Sequence, residues 1–144
     1  MLKTVSQEQD CHVGGVPSDK IHLVWDRAAP ILETVITPDS GFTLEVVYRA
    51  LEIGQFQLWV VDDFEGVVVT QIMFRPTDKI LHATWLAGAN MKRWLRRVEQ
   101  ELETWARFHD CSQLVLQGRK GFRAYEKEFS DYKPAATVYV KRLD

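Results

Sequence analysis

An α+β (α/β) fold, with a mixed central sheet and flanking helices, is what this sequence of 144 residues predicts. Three observations carry the prediction. An amphipathic pattern of helical period, from about Met91 to His109, stands between two strand-like runs. Ahead of it, Phe56–Val61, Val67–Phe74 and Lys79–Ala87 follow the pattern of strands and are separated by short turns. Two shorter helical stretches with capping signals come first. The predicted order is α-α-β-β-β-α-β-α-β in one domain, residues 1–144, with residues 1–17 as an N-terminal arm or edge strand.

The elements follow in chain order. Gly14-Gly15 and Pro17 mark a turn, and Ser18 or Asp19 can cap a helix over Ile21–Asp26. Pro30 either interrupts that helix or opens a second turn, and Ile31–Ile36 continues the apolar pattern. Thr43 suits the cap of a helix over Leu44–Ile53, and Gly54 suits its stop. Asp62–Gly66 reads as a hairpin turn. Val67–Phe74 is too apolar to have a wet face, which predicts a central strand. The turn Arg75–Asp78 leads to Lys79–Ala87, completing an antiparallel meander. Gly88-Ala89-Asn90 is the turn into the long helix. Met91, Trp94, Leu95, Val98, Leu102, Trp105 and Ala106 fall on one face of that helix, as expected where it lies on a sheet. Leu114–Leu116 is the next strand, Gly118–Gly121 a basic turn, Phe122–Lys127 a short helix, and Pro134–Arg142 a closing strand.

Composition narrows the function classes. A hydrophobic share of 46% and a charged share of 26% are those of a globular domain with a real core. No apolar run reaches membrane-spanning length, and no export signal is visible, so neither a membrane nor secretion by its own signal is expected. Cys11 and Cys111 then read as free thiols. The net charge of −2 conceals an asymmetry: residues 1–72 carry 4 Lys/Arg against 11 Asp/Glu, residues 73–144 carry 14 against 9. Either the halves attract each other across one fold, or the second half offers a basic site to a phosphorylated ligand or acidic partner. Nothing is basic enough to predict a nucleic-acid partner. His12, His22, His82 and His109 with the two cysteines show no metal-ligand spacing. Cys111 with His109 is either a nucleophile pair or an inert thiol at a helix-to-strand junction. The five tryptophans all fall on elements that must pack, and read as core.

The element order resembles the GNAT (GCN5-related N-acetyltransferase) fold. Gly54–Val60, Glu103–Arg107 with Asp110-Cys111, and Gly118–Phe122 look like the small GNAT-like proteins of tailed bacteriophages. Ala124–Lys127 resembles a word found late in many acetyltransferases. The likeness covers about Ile21 to Leu143. It implies an acyl-CoA pyrophosphate site on the backbone N–H groups at the start of the long helix, where glycine permits close approach and the helix dipole favours an anion. Here that place reads Trp85-Leu-Ala-Gly-Ala-Asn-Met91, so the implied cofactor contacts are Gly88, Ala89, Asn90, Lys92 and Arg93. The leading Gln/Arg and the second glycine of the family's loop are absent. Lys92, Arg93, Arg96 and Arg97 oppose the helix dipole unless an anion or carboxylate answers them. They mark a surviving phosphate site or a solvated face with Arg97–Glu101 and Glu103–Arg107 pairs.

Acetyl transfer also needs a route for the amine's proton. The strand that often supplies a carboxylate in the family has none here, leaving His82 as a substitute base or a structural histidine. Tyr125 matches the tyrosine that often protonates the leaving thiolate, or packs as core. Two functions are therefore expected as alternatives. One is a phage-encoded GNAT-fold protein with an eroded acyl-CoA site, non-catalytic, acting in assembly through protein partners or its own copies, in the virion or the host cytoplasm. The other is an acetyl-CoA-dependent N-acetyltransferase with an unusual site. For the first, the basic helix of one copy is expected to meet the acidic hairpin Asp62, Asp63 and Glu65 of another, with Phe64 exposed among them.

Overall fold

A computed structural model of the chain describes residues 11–117, 132 and 138–143. Eight elements follow one another: β1 Val13–Val16, α1 Ile21–Glu33, α2 Leu44–Glu52, β2 Phe56–Val61, β3 Gly66–Phe74, β4 Lys79–Gly88, α3 Met91–Phe108 and β5 Gln113–Leu116. The strands lie in the order β1-β2-β3-β4-β5. The first four are antiparallel, and β5 runs parallel to β4, so β4, α3 and β5 form a crossover unit. The apolar run of β3 is central, with Val67, Val68, Val69 and Thr70 buried.

Two cores flank this sheet. On one face α3 buries Trp94, Leu95, Val98, Leu102 and Ala106 against Val61, Val68, Leu81, Ala83 and Leu86. On the other, α1 and α2 cover Leu58, Val67, Val69, Trp85 and Ala87. An extra residue in β4, Thr84, divides the strand: Val69 pairs with Trp85 while Thr70 pairs with Ala83. The α2 boundaries follow the sequence. The Thr43 hydroxyl accepts from the Val46 N–H at 3.2 Å, and Gly54 takes φ +79° just past the helix.

Several expectations change. Pro30 does not break α1, which runs continuously through it to Glu33. The proline forfeits one bond near the helix end, where Ala28 and Leu32 are already buried. No side chain caps the short 3-10 turn at Ser18–Lys20; Pro17 holds that cap position. Residues 13–16 settle the arm-or-strand alternative as an edge strand. Trp105 is only partly buried at the margin of the α3 core. Of the closing strand predicted over Pro134–Arg142, the described residues 138–142 lie outside any strand. Val138, Tyr139 and Val140 are exposed there. The basic turn, the short helix and Tyr125 fall outside the described residues.

Candidate functional site

Three pieces of chain meet where β4 passes into α3. Gly66 opens β3 opposite Gly88, which closes β4. At φ +133°, a Cβ on Gly88 would lie 2.2 Å from the Glu65 carbonyl oxygen, so only glycine fits. That carbonyl accepts the Ala89 N–H at 2.9 Å. The Trp94 indole N–H donates to the Ala89 carbonyl at 2.7 Å, fixing the turn from below. Asn90 adopts the left-handed conformation at the start of α3 and makes no side-chain cap.

The carboxylates of the β2–β3 turn come to the same place. Arg93 donates from Nη1 to Asp62 at 3.0 Å and to Glu65 at 2.5 Å. The Asn90 side-chain amide reaches the other Glu65 oxygen at 3.5 Å. Glu65 thus engages three donors of the junction: a backbone N–H, an amide and a guanidinium. Asp62 also accepts the His12 N–H at 2.8 Å. That bond first, and Arg93 next, hold its carboxyl below the usual range, against some burial. Asp63 pairs with Arg27 of α1 at 2.7 Å, and that guanidinium lies 4.2 Å over the Phe64 ring. The acidic turn is therefore gripped from both faces of the sheet. Phe64, expected to be exposed, is half-buried beneath Arg27.

These pairs answer the cations of α3. Arg93 meets Asp62 and Glu65, and Arg97 meets Glu101 at 2.6 Å. Lys92 and Arg96 remain exposed. The contact predicted between the basic helix of one copy and the acidic hairpin of another is made, at Arg93, within a single chain.

His82 stands elsewhere. It lies six residues before Gly88, about 20 Å along the strand, so only an extended ligand reaches both. His82 Nδ1 is 2.8 Å from the Thr84 hydroxyl, which accepts from the Gln71 amide at 3.1 Å. Burial pushes the imidazole below its ordinary value, and a side-chain hydrogen bond with Gln117 opposes this. The ring is neutral at neutral pH and tied to its neighbours. Near the other end of α3, burial pushes the Cys111 thiol up, away from an activated nucleophile, while His109 stacks on Trp105 at 4.0 Å. Among the described residues, no three His, Cys, Asp or Glu side chains are placed to hold a metal ion. No described helix is long and apolar enough to cross a membrane.

The structure brings Gly88–Asn90 and Arg93 together at the junction; Asp62 and Glu65, expected either to attract the basic half within one fold or to meet another copy, reach Arg93 in the same chain, and Gln71, Thr84 and Gln117 were not among the sequence candidates. The charge imbalance between the halves was the available signal for Asp62 and Glu65.

No family model matches the chain, and no curated protein matches it. Solved structures match it over nearly their whole length. A probable acetyltransferase is 9% identical with a TM-score of 0.69, covering 92% of this chain and 98% of its own. A ribosomal-protein-alanine N-acetyltransferase from Brucella melitensis biovar Abortus 2308 is 14% identical with a TM-score of 0.67, covering 93% and 99%. The aminoglycoside N-acetyltransferase AAC(6')-Iy, solved in complex with CoA, is 6% identical with a TM-score of 0.65, covering 92% and 94%. At these identities the likeness is one of fold, and the chain has a GNAT-like fold.

Proposed function

We propose that the chain is a GNAT-fold protein whose acyl-CoA site is given up, and that it works without catalysis, as a structural or assembly protein. One observation carries this reading: Glu65 and Asp62 take the Arg93 guanidinium, and Glu65 the Asn90 amide, the side-chain donors that a pyrophosphate at this junction would meet. An incoming phosphate must displace two carboxylates at the distance of a direct ion pair, where like charges repel by several kcal/mol (about 4 at an effective dielectric constant of 20). The contacts of His82 with Thr84 and Gln117 support a structural part for this ring. The likeness of Gly54–Val60 and Glu103–Arg107 to small tailed-phage proteins supports a phage setting, in the virion or the host cytoplasm. Partners would be other virion proteins or further copies of the chain.

The reading is tested by calorimetry with acetyl-CoA at low salt, where phosphate contacts are strongest. No binding in the micromolar range is expected. Micromolar binding that disappears when Lys92 and Arg93 are both replaced would overturn the proposal. It would favour the second reading, an acetyl-CoA-dependent N-acetyltransferase, which the likeness to a CoA-bound acetyltransferase supports. Mass spectrometry of purified particles tests the virion role, and absence of the chain from them would sink it.

A further inference from the structure

The donors of the β4–α3 junction are occupied rather than lost. Asn90 offers its amide, Arg93 its guanidinium, and Lys92 stands exposed beside them. What fills the place is a carboxylate supplied by the chain itself, 28 residues before Arg93. The grip is anchored well: Asp62 exchanges backbone and side-chain bonds with His12, and Arg27 holds Asp63 from the far face. We propose that the β2–β3 turn is an autoinhibitory latch, with Glu65 and Asp62 acting as an internal counter-ligand that closes an otherwise competent anion site. This rests on the reading above that the isolated chain does not take acyl-CoA. It goes further, because an eroded site stays closed whatever is done to the turn, whereas a latched one opens when the carboxylates are neutralised.

The main chain limits what opening restores. The Glu65 carbonyl keeps the Ala89 N–H in any side-chain variant, because the Gly66–Gly88 pairing holds it there. The opened site therefore recognises an anion through Arg93, Lys92 and the Asn90 amide. That set suits a compact phosphate or pyrophosphate.

The experiment compares the full chain with an Asp62→Asn, Glu65→Gln double variant, using inorganic pyrophosphate and CoA as probes in calorimetry at low salt. Both replacements keep size and hydrogen-bonding capacity. Circular dichroism confirms that each protein is folded, and Glu65→Gln alone replaces the double variant if that one is not. Pyrophosphate should bind the variant at least tenfold more tightly than the wild type, and adding Arg93→Gln should abolish the gain. A folded variant that binds no better than wild type overturns the latch and leaves the non-catalytic reading intact. A gain that survives Arg93→Gln also overturns it. A wild type that already binds CoA in the micromolar range overturns both.

Discussion

The two hairpin turns of the meander use the same chemistry for different ends. In the β3–β4 turn, Arg75 and Asp78 form a two-pronged pair at 2.7 and 2.5 Å, three residues apart. The Ser112 hydroxyl donates to the same carboxylate at 2.5 Å. This pair closes its own turn and reaches only the start of β5. In the β2–β3 turn the ion pairs are long-range, Asp62 and Glu65 to α3 and Asp63 to α1, and Asp62 also accepts the backbone N–H of the residue before β1. The first is local punctuation; the second is a tertiary knot. An arginine–carboxylate pair is informative about function in proportion to how much chain it bridges, and only the second turn lies at the candidate site.

Removing the support beneath the knot should have the largest effect. Trp94 is fully buried, and its rings would lie 2.5–2.7 Å from a Cβ on Gly66. Trp94→Ala should cost about 3–5 kcal/mol in urea denaturation. Gly88→Ala adds a left-handed backbone penalty to a clash with the Glu65 carbonyl, and should cost about 3 kcal/mol. If either variant melts like wild type, the junction is not the fixed platform described.

The arginines sharpen the comparison next. Arg93→Ala leaves two half-buried carboxylates facing each other, so it should lower the urea midpoint more than Arg75→Ala, whose partner keeps the Ser112 hydroxyl. Equal effects would erase the distinction between the turns.

Acid should reach the two turns in a related way. Asp78 falls from an ordinary 3.8 to about 2, chiefly through Arg75 and then Ser112, and Asp62 is also lowered. Each contribution is therefore present above about pH 4 and fades as pH falls toward the folded value, near 2 for Asp78. Asp78→Asn should flatten the stability profile between those limits; an unchanged slope there would count against the pair. Smallest among the core changes, Trp105→Ala should cost about 2 kcal/mol, less than Trp94→Ala, because the ring sits at the core margin against Trp59.

The fold was readable because its signals are local. Thr43 and Gly54 bound α2, the apolar run of β3 marks a central strand, and the stripe of α3 names its buried face. Pro30 misled because burial of Ala28 and Leu32 outweighs one missing bond, a tertiary effect invisible to a propensity argument. Trp105 misled because a 100° stripe does not say how far the sheet extends beneath it. At the site, the loop residues could be found from spacing, whereas the partners of Arg93 could not. They lie 28 and 31 residues away, and nothing in a linear pattern selects the same chain over a neighbouring copy.

The single extra residue in β4 has a consequence for how this chain tolerates change. Regular alternation would send Ala83 and Trp85 to the same side of the sheet; Thr84 lets Ala83 join the α3 core while Trp85 enters the core of α1 and α2, against Phe42 at 5.1 Å. Thr84 is in effect a reading-frame shift within a strand. Deleting it would heal the bulge: Ala83 and Trp85 would become neighbours on opposite sides of the sheet, each keeping its partner on β3, and Gly88 would stay opposite Gly66. Deletion should therefore be absorbed in register, and what either deletion or substitution removes is the hydroxyl that meets Gln71 and His82.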